Sequence, residues 1–209
     1  MRGIFISIEG GDGAGKSTQI NNIEKFFSEK GFVVVHTREP GGTSIGEKLR
    51  EILLDRDNSE MESVTEMLIY AASRAQHVRE FITPALEKGE IVICDRYVDS
   101  SIAYQGFGRD LGDKVVEVNN IATGGVMPDI TFWLDIDPET GRQRAAREGT
   151  PDRLESEKLA FHQKVREGYG ALAEAYPERV KRVDASKTKE EIRDEIYEYL
   201  EALCTERGI

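Results

Sequence analysis

From residue 10 to residue 18 the chain reads Gly-Gly-Asp-Gly-Ala-Gly-Lys-Ser-Thr. Gly10, four intervening residues, then Gly15-Lys16-Ser17 is the full spacing of a phosphate-binding loop. Glycines let successive N–H groups turn inward around a phosphate, and the helix that follows adds its positive end. Lys16 can reach the β- and γ-phosphates, and the Ser17 hydroxyl can ligate a bridging Mg²⁺. Gly10, Gly11, Asp12, Gly13, Ala14, Gly15, Lys16, Ser17 and Thr18 are thus the expected nucleoside-triphosphate cradle. Asp95 follows the apolar run at 91–94 in the manner of a Walker-B aspartate, so Ser17 and Asp95 are the expected metal ligands. Glu9 can either join the metal's shell through water or satisfy loop amides.

What becomes of the phosphate depends on other residues. A guanine-reading switch needs an Asn-Lys-x-Asp sequence, and the chain has none. An ATPase motor needs a signature loop or partner-facing surface that the sequence does not display. A small kinase needs one set of arginines for the acceptor and another closing over the donor. Arg38, Arg74 and Arg96 fall at strand ends or on a facing helix, whereas Arg142, Arg144, Arg147 and Arg153 bracket a Gly-Thr-Pro break suited to a lid at about 142–153. That distribution favours the kinase.

Strands and helices must deliver these groups. Ile4, Phe5, Ile6 and Ile8 lead into the loop as a buried strand, and the helix behind it carries Ile20, Ile23, Phe26 and Phe27 on one face. Further strands are expected at 32–37, 91–94, 130–134 and 180–183. Helices are expected at 45–54, with Ile45, Leu49, Ile52 and Leu53 as its apolar stripe, at 63–77, and over 81–88 with Pro84 opening a new turn. Residues 100–105 read as helix broken by Gly106-Phe107-Gly108, and 115–122 as the next helix. Asp137-Pro138-Glu139 starts a helix running to about 148, Arg153 opens a long one to about 175, and Thr188 with Glu191 forms a capping box for the last. Tyr70, Arg74 and His77 share one face of the 63–77 helix. The alternation gives an α/β class: one domain over 1–209, a phosphate-loop NTPase-type sandwich with a parallel sheet of about five strands, helices on both faces and a short lid.

At 209 residues the chain can bury a full core, and it shows no apolar stretch of membrane-spanning length. Its first residues run straight into a strand with no export signal, and Cys94 and Cys204 match no metal or redox spacing. A cytoplasmic setting is expected. The net charge of −11 argues against a nucleic-acid partner.

Arg38-Glu39-Pro40-Gly41-Gly42-Thr43, Ala71-Ala72-Ser73-Arg74-Ala75-Gln76-His77 and Asp95-Arg96-Tyr97 followed by Ser100 and Ala103-Tyr104-Gln105 resemble, in order and spacing, the motifs of thymidylate kinase. Pro128-Asp129 and Asp152-Arg153-Leu154-Glu155 extend the resemblance over nearly the whole chain. It implies a cytoplasmic homodimer that binds ATP with Mg²⁺ and phosphorylates thymidine monophosphate (dTMP). It further implies that Asp12 bonds the 3′-hydroxyl, Arg38 and Arg96 clamp the acceptor phosphate, and Arg74 bonds the thymine edge. Tyr70 would stack on the base, Tyr104 would lie where a ribose 2′-hydroxyl would sit, and Ser100 and Gln105 complete the acceptor site. Gly13 stands where some relatives carry an arginine; the class with glycine there takes its catalytic arginine from the lid, which points to Arg153, with Arg147 and Arg144, beside Lys16 and Arg96. A kinase for another pyrimidine monophosphate and a non-catalytic nucleotide sensor remain the alternatives.

Overall fold

The computed structural model describes residues 2–146 and 152–209. Five parallel strands, β1 (Phe5–Glu9), β2 (Val34–Arg38), β3 (Ile91–Asp95), β4 (Ile130–Asp135) and β5 (Val180–Asp184), line up in the order β2-β3-β1-β4-β5. The chain crosses to β2, returns to β3, then passes β1 to β4, so the order reverses at β1, where a ligand crevice opens at the strands' C-terminal ends. Alternate side chains feed two cores. Ile4, Ile6, Ile8, Ile91, Ile93, Phe132 and Leu134 meet α1 (Lys16–Glu29) and the last helix, α9 (Lys189–Arg207). Phe5, Val92 and Cys94 face the opposite way. Both faces being covered, the strands read as continuous apolar runs rather than alternating ones.

The other helices are α2 (Ser44–Leu54), α3 (Ser63–His77), α4 (Thr83–Glu87), α5 (Val98–Ser101), α6 (Lys114–Thr123), α7 (Pro138–Ala145) and α8 (Leu159–Ala175). Between α3 and α4 the helix widens over Val78–Ile82, just before Pro84, whose missing N–H interrupts the regular ladder. A second wide-turned stretch, Ile102–Gly108, continues α5.

Three expectations are corrected. Gly106-Phe107-Gly108 does not break its helix. Gly108 serves close packing there, since a Cβ at that position would stand 2.6 Å from the Phe161 ring of α8. Residue 153 does not open α8. Asp152 Oδ1 accepts from the Leu154 and Glu155 amides, and Glu155 Oε2 accepts from the Asp152 amide, closing a single turn before the helix starts at Leu159. The stripe of α2 is only partly buried: Leu53 is enclosed, but Ile45 and Ile52 are exposed. The expected extension of α7 to 148 lies outside the described residues beyond Ala146.

Candidate active site

Pairing of Ile8 and Arg38 with Asp95 sets the ends of β1, β3 and β2 side by side, and the phosphate loop leaves from the first of them. Gly15, left-handed at φ 90°, turns the chain into α1. Gly13 is also left-handed, and a Cβ there would stand 2.2 Å from the Gly141 carbonyl oxygen of α7. Helix α7 therefore rests directly on the loop, and no side chain fits between. Asp137 caps that helix, accepting from the Glu139 and Thr140 amides at 3.1 Å each, with Pro138 behind it.

Three cavities adjoin the loop: one of about 280 Å³ lined by Gly11, Asp12, Tyr104, Trp133 and Arg142, and two that hold the expected site residues. Of these two, one, of about 680 Å³, is bordered by residues 12–19, Asp95, Arg144 and Lys187. The other, of about 200 Å³, is lined by all eight residues expected at the acceptor: Asp12, Arg38, Tyr70, Arg74, Arg96, Ser100, Tyr104 and Gln105. Asp12, Lys16, Asp95 and Glu155 line both and form their common wall.

On that wall, Lys16 Nζ donates to the Gly10 and Gly11 carbonyls at 3.2 and 3.1 Å. Burial, and then Arg96, pull its pKa below the ordinary lysine value. Asp12 Oδ1 accepts from Arg96 Nη2 at 2.9 Å. Burial alone would raise the Asp12 carboxyl, but Arg96 and Lys16 together hold it below its usual range. Asp95 Oδ1 is buried with no hydrogen-bond partner among the described residues. Facing the same cavity as the Ser17 hydroxyl, that bare carboxylate oxygen suits a divalent cation bound to triphosphate oxygens.

Arg96 sits at φ 68°, a conformation that costs a non-glycine residue on the order of 1–3 kcal/mol. Its amide donates to Ile8 O, and its guanidinium lies 5.2 Å over the Tyr104 ring with Nη1 3.4 Å from Ser100 Oγ. Beneath it is Glu9, fully buried. Glu9 accepts from Ser7 Oγ, the Tyr97 amide, Ser100 Oγ and Tyr169 Oη. The Tyr97 amide it satisfies belongs to the turn after β3, so Glu9 supports the arginine-bearing turn from below.

Arg74 is 1% exposed and is a wall of the cavity rather than an arm in it. Nε donates to Glu39 Oε2, Nη1 to Ser101 Oγ and Asn119 Oδ1, and Nη2 to Tyr97 O. Four of its five N–H groups are thus used, and one on Nη2 is left. Glu39 also meets His77, whose other ring nitrogen faces Thr37 Oγ1 at 2.5 Å. The peptide before Pro40 is cis. Arg38 pairs with Glu47 at the cavity mouth, half exposed. Burial pushes the phenols of Tyr70 and Tyr104 up, and the Tyr104 hydroxyl has no partner of good geometry among the described residues.

The arginines expected in a lid divide. Arg144, on the donor cavity, gives Nη1 to the Ala185 carbonyl. Arg153 lines neither cavity; it is ion-paired to Glu66 at 2.7 Å, with Nε donating to the Leu53 carbonyl. Arg147 lies outside the described residues. Sequence reasoning missed Glu66, Tyr169 and Arg50, the last of which lines the acceptor cavity and donates to Pro40 O. Only Arg50 carried a signal, as one more arginine close to the Arg38 loop.

The family model described as thymidylate kinase matches residues 8–196. A thymidylate kinase from Lactobacillus delbrueckii subsp. bulgaricus is 55% identical over 192 residues, covering 90% of each chain. One from Exiguobacterium is 48% identical over 200 residues, covering 95% of this chain and 94% of its own. The crystal structure of thymidylate kinase from Ehrlichia chaffeensis superposes with a TM-score of 0.77 at 32% identity, over 96% of this chain and 99% of that one. With its motifs gathered around two cavities, a parallel phosphate-loop sheet and relatives matched along almost its whole length, this chain belongs to the thymidylate kinase family and is a phosphotransferase of the nucleoside monophosphate kinase class.

Proposed function

We propose that this chain transfers the γ-phosphoryl group of ATP, held with Mg²⁺, to dTMP, giving dTDP and ADP. The carrying observation is the common wall: the donor cavity and the acceptor cavity meet at Asp12, Lys16, Asp95 and Glu155, where an acceptor oxygen can line up with a γ-phosphate. A monophosphate's second pKa is about 6, so its attacking oxygen is already largely ionised near neutrality. No general base is needed, and positioning with charge neutralisation carries the chemistry. Ser17 and Asp95 would hold the Mg²⁺, which neutralises charge on the phosphates when bound.

Arg96 and Arg38 take the acceptor phosphate, with Ser100 steadying Arg96. The remaining Arg74 N–H and Gln105 address the pyrimidine edge while Tyr70 stacks on its face. Asp12 meets the 3′-hydroxyl, and Tyr104 closes the space a ribose 2′-hydroxyl would need. Lys16, Arg144 and Arg147 address the transferring group; Arg153 joins them once lid closure releases it from Glu66. The enzyme acts as a homodimer through the face on which α2, α3 and α6 leave Ile45, Ile52, Val64, Leu68 and Ile121 exposed. The setting is cytoplasmic, in keeping with two free buried cysteines and with no described helix long and apolar enough to cross a membrane.

The test is ADP release from Mg-ATP with a panel of nucleoside and deoxynucleoside monophosphates. Strong preference for dTMP is expected. Preference for a ribonucleotide overturns the Tyr104 assignment and the substrate, and turnover of none overturns the reading.

A further inference from the structure

Glu66 lies in the first turn of α3 with none of its surface exposed. Gln105 Nε2 at 3.0 Å and Arg109 Nε at 3.3 Å donate to its Oε1. Arg109 Nη2 at 3.0 Å and Arg153 Nη2 at 2.7 Å meet its Oε2. Burial works against its charge, but Arg109, Gln105 and Arg153 hold its carboxyl below the ordinary value. Arg109 is in turn paired with Glu157 and lies 4.7 Å over the Phe161 ring, so the carboxylate sits in a fixed frame.

An ionised carboxylate can only accept hydrogen bonds. The Gln105 amide must therefore turn its NH₂ to Glu66. Its carbonyl oxygen takes no donor among the described residues and is the end left for the acceptor cavity, which Gln105 borders. We propose that Glu66 is a positioning residue that fixes Gln105 as a hydrogen-bond acceptor, and so selects a pyrimidine with a ring N–H over one with a bare ring nitrogen. Thymine and uracil carry a hydrogen on N3; cytosine carries a lone pair there. With the amide locked, a cytosine ring sets lone pair against carbonyl in a buried site, and an unmade bond in such a place is costly. The inference rests on the acceptor cavity taking a pyrimidine monophosphate.

Glu66→Gln removes the lock, because a neutral amide at 66 can pair with either end of Gln105. Arg109→Gln cuts the same ion-pair cluster without touching Gln105. The expected result is that Glu66→Gln raises KM for dTMP and narrows the dTMP-over-dCMP preference in kcat/KM on the order of tenfold. Arg109→Gln should lower Tm yet keep the preference. An unchanged preference in Glu66→Gln, or an equal loss in Arg109→Gln, overturns the proposal. Should Glu66→Gln not fold, hydrogen exchange of the Gln105 side-chain amide in the unsubstituted protein decides: slowed exchange supports the lock and solvent-rate exchange refutes it. If the unsubstituted enzyme turns over no monophosphate, the substrate reading fails instead, and the exchange measurement still judges the lock.

Discussion

Four donors surround Glu9 at the end of β1, yet burial, and then the Asp99 carboxylate, push its pKa up to about 7 from the ordinary 4.5. Between those values the folded chain keeps a proton that the unfolded chain has lost, so stability falls as pH rises through that window. The contribution is complete below the lower value and gone above the upper one. Glu9→Gln cannot titrate. The Tm of the unsubstituted protein minus that of Glu9→Gln should therefore be more favourable at about pH 5 than at about pH 8, by the equivalent of roughly 2–3 kcal/mol. Paired thermal melts at the two values check this, and a pH-independent difference would contradict the burial argument. Arg74 teaches a related lesson. Its motif position marked it as a base-reading arginine, but nothing in one sequence shows that Glu39, Ser101, Asn119 and Tyr97 already occupy most of its donors.

At the scale of elements, α7 and the phosphate loop are a single packed unit. Gly13→Ala places a methyl against the backbone of Gly141 and keeps a left-handed φ that costs an ordinary residue about 1–2 kcal/mol. The backbone cannot yield as a side chain would, so α7 must shift. Gly13→Ala is expected to lower Tm and cut kcat/KM for ATP on the order of tenfold or more, since α7 carries Arg144. Gly11→Ala, with open space around it, should leave Tm nearly unchanged.

Much of this layer was legible from the residues. The 63–77 helix has the expected bounds, the Asp137 cap and the Thr188–Glu191 capping box form as read, and the eight residues expected at the acceptor line one cavity. The lid was not. Residues 153–175 carry a helix-compatible pattern throughout, and only the reciprocal hydrogen bonds of Asp152 and Glu155 show that the first turn stands alone. Arg153 looked like a free lid arginine because its partner, Glu66, is remote in sequence and carries no motif.

Over the whole molecule, several large apolar residues stay open to solvent. Leu68 on α3 is 51% exposed and Ile121 on α6 is 82% exposed, on helices that pack side by side. Buried against a second copy, such residues are worth about 1.5–3 kcal/mol each. Leu68→Glu combined with Ile121→Glu should turn the proposed dimer into a monomer, read as a halved mass in light scattering, while the fold and its far-ultraviolet dichroism persist. A single-copy mass for the unsubstituted protein would remove the dimer.

Trp133, the only tryptophan in the chain, stacks on Tyr169 with ring centroids 5.9 Å apart and has the Arg182 guanidinium 5.4 Å from its ring. The Tyr169 hydroxyl reaches Glu9 and Ser100 at the floor of the acceptor cavity. The protein thus carries its own optical gauge: one emitting indole, stacked on the ring whose hydroxyl lies 3.5 Å from Arg96, the arginine proposed to grip the acceptor. On the proposed function, nucleotide arrival and departure at that cavity should change the colour and brightness of a single ring, with no label attached and no residue changed.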